Sequence, residues 1–462
     1  MKQLKNRALS KGHSCVKKDL NKTILSALIL LTISVPTLAQ HELTIYGEYR
    51  PRAEVRSGYS QPLSKDLAPD LLMMQRVRLG IDYKYKQLIR TKLTIEDARV
   101  FGEADQKGAA INNEVKTPNT FIYEAWAELI LPKGISLRIG RQSISYDDQR
   151  LFSVNDWGNT GSAHDLALLL FKYKGFNANL GYAYNNSQSN PLTSDYNYGT
   201  TSFYKNMAYL WLSQKLGEKT GLKITAIAVS TGFQHSKKDE EGKDVYENKY
   251  KFTYGGNVEF NKKDLPFGLY ATAYGQSGYT NKGIKIGAYM CALKLNYKII
   301  EPLTLFVGVD YYSGTSMSQS ADETNTYTGL YGSNHRFNGS MDYWTVATLP
   351  KGGCINPYAS LQYKICDKVG LIGSYHYFSL AQNIKSSSSK NLGHEIDFDI
   401  SYKFCKIATI KGGWSCYFKS DLTNIVRGVT GVEEPTKQTE TRFAQWAYVS
   451  ISVTPKFFTY SK

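Results

Sequence analysis

Between Glu42 and Arg56 the side chains change character at every step. Leu43, Ile45, Gly47, Tyr49, Pro51, Ala53 and Val55 fall on one side; Glu42, Thr44, Tyr46, Glu48, Arg50, Arg52, Glu54 and Arg56 fall on the other. Successive side chains of a strand point to opposite faces, so this segment reads as a strand with one apolar and one charged face. A surface strand of a soluble sheet could look like this once. Here the pattern recurs at similar length. Val77, Leu79, Ile81, Tyr83 and Tyr85 oppose Arg76, Arg78, Asp82, Lys84 and Lys86, and Phe398, Ile400 and Tyr402 oppose Asp397, Asp399 and Lys403. Strands of about ten residues that alternate in this way suit a barrel with lipid outside and water inside.

Eighteen such strands are predicted, near 41–57, 71–86, 88–101, 119–132, 135–147, 163–174, 175–186, 204–217, 220–234, 249–261, 266–279, 283–298, 301–314, 356–366, 368–381, 391–404, 406–419 and 441–455. Their connections mostly alternate between tight and roomy. Roomy links fall at 58–70, 102–118, 148–162, 187–203, 235–248, 315–355, 382–390 and 420–440; the link near Thr280 is short where a roomy one is due. Lysines gather at the tight links, as at Lys84, Lys86, Lys172, Lys174, Lys262 and Lys263. The expected fold is all-β: a transmembrane, antiparallel, up-and-down β-barrel of about 18 strands, with short periplasmic turns and long extracellular loops. A solenoid would show a fixed repeat, and a sandwich would show turn signals every 8–12 residues or so; neither is present.

The N-terminus fits export. A basic stretch with Lys11, Lys17, Lys18 and Lys22 precedes an apolar run from Ile24 to Pro36, then Thr37-Leu38-Ala39. This is the layout of a secretory signal peptide over 1–39, leaving one barrel domain over 40–462. The apolar run is too short to span a bilayer, and no run of 18 apolar residues follows it. The leader is strongly basic, so the mature chain keeps about +10 of the +16 formal charge. In an exported protein that charge points to an anionic permeant or anionic headgroups, not to nucleic acid. Five cysteines remain after cleavage, an odd number with no C-x-x-C spacing, so neither a disulfide nor a metal site is expected.

Ten of the thirteen arginines of the mature chain lie between residues 41 and 150. Arg50, Arg52, Arg76, Arg78, Arg90, Arg138 and Arg141 would form a basic patch on one wall of the lumen, since consecutive strands are neighbours. Arginine suits anion recognition because its planar fork binds carboxylates through two hydrogen bonds and keeps its charge. Glu48, Glu54, Asp82, Glu96, Asp97, Glu124 and Glu128 share those strands. Pairing across the wall and attraction of anions by the surplus are both expected.

The run from Arg138 to Asp165 reads R-I-G-R-Q-S-I-S-Y-D-D-Q-R-L-F-S-V-N-D-W-G-N-T-G-S-A-H-D. It resembles the alginate-export family of bacterial outer-membrane barrels, which carries R-x-G-R-Q, Y-G-D-Q-R-L-F-G and D-W-x-N-x-G-R-x-F-D on a strand and the loop after it. Softer resemblance covers Y-G-E-Y-R-P-R-A-E (46–54), G-S-N-H-R-F-N-G-S-M-D-Y-W (332–344) and L-G-H-E-I-D (392–397). Asp147 stands where the family often has Gly, Ser162 where it often has Arg, and His164 where it often has Phe. The resemblance implies an 18-stranded barrel and says less about the solute. The motif reads as an inward loop that narrows the pore, with Asp148 and Arg150 pairing with the wall and Gln142 on the strand before it.

No G-x-S-x-G or H-E-x-x-H occurs, and the histidines are scattered, so an enzyme is not expected, nor a cofactor. The expected function is an outer-membrane channel for passive diffusion or export of an anionic solute, an acidic oligo- or polysaccharide. Expected partners are outer-membrane lipid and the anionic or sugar-type permeant; periplasmic export partners stay open. Arg50, Arg52, Arg76, Arg78, Arg90, Arg138, Arg141, Gln142, Asp148 and Arg150 are the candidate lumen residues. The alternative is a surface-binding or adhesion barrel acting through its long loops, above all 315–355.

Overall fold

The computed structural model describes residues 40–102, 120–185, 204–217, 219–384 and 388–462. The signal peptide expected over 1–39 lies outside the described residues, as do most of the loops expected at 102–118 and 187–203 and part of the serine run at 386–389.

The strands are β1 (His41–Ser57), β2 (Asp70–Tyr85), β3 (Ile89–Val100), β4 (Thr120–Leu131), β5 (Ile135–Gln142), β6 (His164–Tyr173), β7 (Phe176–Tyr184), β8 (Asn206–Lys215), β9 (Leu222–Lys238) and β10 (Asp244–Asn261). They continue with β11 (Phe267–Tyr279), β12 (Lys285–Ile300), β13 (Leu303–Tyr312), β14 (Glu323–Thr324), β15 (Cys354–Lys364), β16 (Val369–Ser379), β17 (Asn391–Cys405), β18 (Ala408–Lys419), β19 (Ala444–Val453) and β20 (Lys456–Ser461). One short helix, α1 (Asp421–Arg427), sits in the last long loop. Each barrel strand pairs antiparallel with the next, and β1 closes the ring against β19 and β20. β14 is only a two-residue pairing of a loop with β12. β19 and β20 are one stave broken at Thr454-Pro455, where proline has no N–H to give the ladder. The result is the closed barrel of 18 strands that the alternation predicts.

Three boundaries differ from expectation. The fifth strand stops at Gln142, five residues early, because the chain turns into the barrel there. The roomy link expected at 235–248 is mostly strand: β9 and β10 stay paired out to Lys238 and Asp244. The last strand runs on to Ser461, which brings His41 and Lys462 into a reciprocal backbone pair at 3.0 Å.

Burial is inverted relative to a soluble protein. Leu79, Ile139, Leu180 and Val449 are each half or more exposed on the outer face, while Arg76, Glu96 and Glu395 are 1% or less exposed on the inner face. The outer face is the lipid face. Tyr173, Phe267, Tyr297, Phe404 and Tyr460 project from it at the tight-turn ends of their strands; Tyr184, Tyr279, Tyr289 and Phe418 do so towards the long-loop ends. Two such aromatic girdles mark the two membrane interfaces. The tight turns use left-handed backbone: Lys174 and Gly175 have φ of 42° and 84°, the pair of positive values a two-residue hairpin needs.

Candidate functional site

The core lies inside the barrel, at its long-loop end, and two loops build it. The chain after β5 (143–163) and the chain after β13 (313–353) both fold inward and cross. Tyr331 N–H donates to the Leu151 carbonyl, Ser153 N–H to Tyr331 and Ser333 N–H to Gln149, each at 2.9 Å. Gly332 makes the crossing possible, since a Cβ there would lie 2.1 Å from the Arg150 carbonyl oxygen. Phe152, Met341, Tyr343 and Trp344 are fully buried around it. Trp344 Nε1 donates to the Tyr417 hydroxyl at 2.8 Å, and Tyr343 stacks on Tyr417 at 4.0 Å. The segment offered to an adhesion partner by the alternative reading is therefore largely interior.

The arginines of the wall hold the first loop. Arg50 donates to the carbonyls of Asp156 and, at 2.5 Å, Gly158. Arg52 donates to the Trp157 carbonyl at 2.6 Å, and its guanidinium lies 4.2 Å from the Trp157 ring centroid. Arg76 reaches the Gly158 carbonyl at 3.3 Å and is paired with Glu48 at 2.5 Å. Trp157 also stacks on His335 of the second loop at 4.0 Å, joining both loops to the wall. Arg150 is the central anchor. It pairs with Asp148 and Asp310 at 2.8 Å each, donates to the Tyr312 hydroxyl at 2.6 Å, and lies over Phe337. Burial opposes its charge, but Asp310 and the other acceptors outweigh that and hold the guanidinium well above its ordinary value.

The remaining candidates are spent on local pairs. Arg78 bridges Glu96 (2.6 Å) and Glu48 (3.2 Å) and lies over Tyr123. Arg90 pairs with Asp82, and Arg138 pairs with Glu128 at 2.7 Å beside Trp126. Gln142 is fully buried and donates to the carbonyls of Gly140 and Leu166. Arg141 needs correction as a lumen residue. The register pairs Gly140 with Trp126 and Arg138 with Glu128 on the inner face, so Arg141 shares the outer face with Ile139, where it pairs with Asp165 at 3.1 Å. Glu54 binds Arg52, Arg56 and the Trp446 indole.

Asp147, where the family often has glycine, has φ of 54° and accepts a hydrogen bond from the Trp211 indole N–H at 3.0 Å. Burial pushes its carboxyl above the ordinary aspartate value.

The cations left over are mostly lysines. Lys172, Lys215, Lys294, Lys403, Lys411 and Lys456 follow the inner-face phase of their strands or line interior cavities, towards the tight-turn end. Among the described residues none of the six lies within ion-pair distance of a carboxylate; the same is true of Arg336 in the second loop. The lysines at the tight turns were the signal for them in the sequence, and the inward phase of each strand is what selects the ones that face water. Interior cavities adjoin these groups. One of about 270 Å³ is lined by Arg50, Arg52, Arg76, Trp157 and Lys411. One of about 430 Å³ lies beside Arg78, Lys92, Tyr123 and Lys456. One of about 480 Å³ lies across the barrel, beside Lys294 and Arg336.

No curated protein matches the chain. The fold is shared with solved outer-membrane proteins of Pseudomonas aeruginosa. OccK9 (OpdG) is 12% identical with a TM-score of 0.59, covering 89% of this chain and 98% of that one. OccK11 (OpdR) is 10% identical with a TM-score of 0.57, covering 90% and 96%. OpdK, solved with vanillate, is 9% identical with a TM-score of 0.55, covering 90% and 99%. The model of the family described as alginate export matches residues 42–422, most of the barrel. With that match and this fold, the chain belongs to the alginate export family and is a channel of the bacterial outer membrane.

Proposed function

We propose that, once residues 1–39 are removed, the barrel passes anionic solutes by passive diffusion, acidic oligo- or polysaccharides among them. The observation that carries this reading is the set of inner-face lysines without carboxylate partners. Paired arginines contribute little net field, whereas unpaired lysines facing a narrow lumen concentrate anions and leave binding weak enough for release. The wall arginines then act in a second way: they hold the inward loop that narrows the path. Arg90 and Arg138, each about one-third or less exposed and facing the tight-turn half, add contact points for a passing carboxylate. The carboxylate-bearing vanillate of the OpdK structure is in keeping with an anion path in this architecture.

The test is the reversal potential of the purified channel in a planar bilayer under a salt gradient. Anion selectivity is expected, reduced in a Lys294→Gln/Lys411→Gln variant and unchanged in Arg141→Ala, whose side chain is outside the lumen. Selectivity should fade near 1 M salt, where the screening length is only about 3 Å. Cation selectivity would refute the reading.

A further inference from the structure

Three lysines at the periplasmic rim hold a backbone conformation that lysine rarely adopts. Lys86, Lys133 and Lys174 have φ of 50°, 63° and 42°. Left-handed positions are normally filled by glycine or asparagine, because a Cβ there crowds the following carbonyl. The three stand in consecutive tight turns, between β2 and β3, β4 and β5, and β6 and β7. Successive turns are two strands apart, about 10 Å along the rim. Strain repeated once per hairpin is retained for the sake of the side chain.

The charges of this sector do not cancel. Each carboxylate at these hairpin ends has a partner in the wall: Glu42 has Lys84, Asp82 has Arg90 and Glu128 has Arg138. Among the described residues, Lys86, Lys133, Lys172 and Lys174 have no carboxylate within ion-pair distance. Lys172 follows the inner face of its strand; the other three are exposed in the turns.

These three ammonium groups stand on the lipid side. The Lys86 Nζ lies 5.4 Å from the centroid of the Tyr85 ring, and the Lys174 Nζ lies 5.2 Å from that of Tyr173. Both rings belong to the outer face, where Tyr173 is 55% exposed. Lys133 comes two residues after Leu131, which is 49% exposed on the same face. Each lysine therefore ends an outward apolar stripe at the depth of the periplasmic aromatic girdle. A lysine stem at that depth runs along apolar surface and delivers its charge among the lipid headgroups. A zwitterionic headgroup brings its own ammonium there; a net-anionic one does not, and is attracted by each lysine.

We infer that the rim formed by these three turns is a binding surface for anionic phospholipid of the periplasmic leaflet, with one phosphodiester at each of Lys86, Lys133 and Lys174 and the acyl chains against Tyr85, Leu131 and Tyr173. The surface is separate from the lumen and does not depend on what the channel passes.

The test is native mass spectrometry of the purified protein in detergent, titrated with phosphatidylglycerol or phosphatidylcholine at neutral pH and low salt. Phosphatidylglycerol should be retained roughly fivefold more tightly, the scale of one lysine at an anionic surface. The triple variant Lys86→Asn, Lys133→Asn, Lys174→Asn should lose that preference, since asparagine tolerates the left-handed turns and keeps the hairpins. Arginine at the same three positions should keep it. The triple variant Lys237→Gln, Lys243→Gln, Lys282→Gln removes as much charge from the long-loop end and should also keep it. A preference that survives in the asparagine variant would overturn the site. Equal loss in the glutamine variant would leave only an effect of net charge and overturn it too. No preference in the wild type would overturn it as well; polyglutamate binding lost in the asparagine variant would then assign the rim to an acidic protein instead.

Discussion

Removing the Arg150 side chain should release the inward loops. The guanidinium is buried, with 5% of its side chain exposed, between Asp148 and Asp310, whose side chains are 12% and 3% exposed. Truncation to alanine leaves both carboxylates without a countercharge, and breaking a buried pair in this way costs about 3–5 kcal/mol. The tyrosine hydroxyl and the Phe337 face lose their partner as well. Against this, the loop keeps its carbonyl contacts with Arg50, Arg52 and Arg76 at the other end, so release should be partial. At about 1.4 kcal/mol per tenfold, the equilibrium between seated and unseated loop moves by roughly two to three orders of magnitude. Single-channel recordings of Arg150→Ala should show a larger mean conductance with frequent transitions to high-conductance levels. The triple variant Arg150→Gln, Asp148→Asn, Asp310→Asn removes the stranded charges and should restore most of the quiet wild-type trace. A wild-type trace and unaltered thermal unfolding in Arg150→Ala would refute this account of the anchor.

Other expectations follow from single contacts. Gly332→Ala places a methyl against the Arg150 carbonyl at 2.1 Å, so the loops cannot cross as they do; the variant should unfold at lower temperature and conduct more noisily, by the same recordings. Trp344→Ala empties a fully buried site and leaves the Tyr417 hydroxyl only its bond to the Leu392 carbonyl, costing about 3–5 kcal/mol, to be read from the urea midpoint in detergent. Asp147 binds its proton more tightly in the folded loop than in an unfolded chain. The folded state therefore holds more protons, and loop stability should rise as pH falls from neutral towards the ordinary aspartate range. Asp147→Asn should flatten that dependence in a limited-proteolysis assay of the loop, and an unchanged slope would count against it. Asp147→Gly relieves a positive φ but loses the indole contact, so its net effect on the same assay should stay within about 1 kcal/mol.

Much of the barrel was legible because a strand's two faces meet different solvents. Glu42 to Arg56 alternates without a break, and the structure keeps that phase, with Val55 outside and Glu54 inside. The strand count and the tight turns followed from the same period. Arg141 was not legible, because assigning it to a face needs the pairing of Gly140 with Trp126, a long-range fact. Nor was the extent of β9 and β10, where mixed charges read as loop but the paired backbones continue beyond the membrane.

The sequence by itself determined a lipid-facing and a water-facing surface, since side-chain polarity at period two is a local property. It also placed a distinctive loop after the fifth strand. Only the tertiary structure decided which charges remain available in the lumen. Arg50, Arg52 and Arg76 are consumed by loop carbonyls that the fold carries 80 or more residues along the chain to meet them, and Arg150 by Asp310, 160 residues away. A charge's availability depends on what closes over it, and here that is set by two loops crossing inside a closed ring.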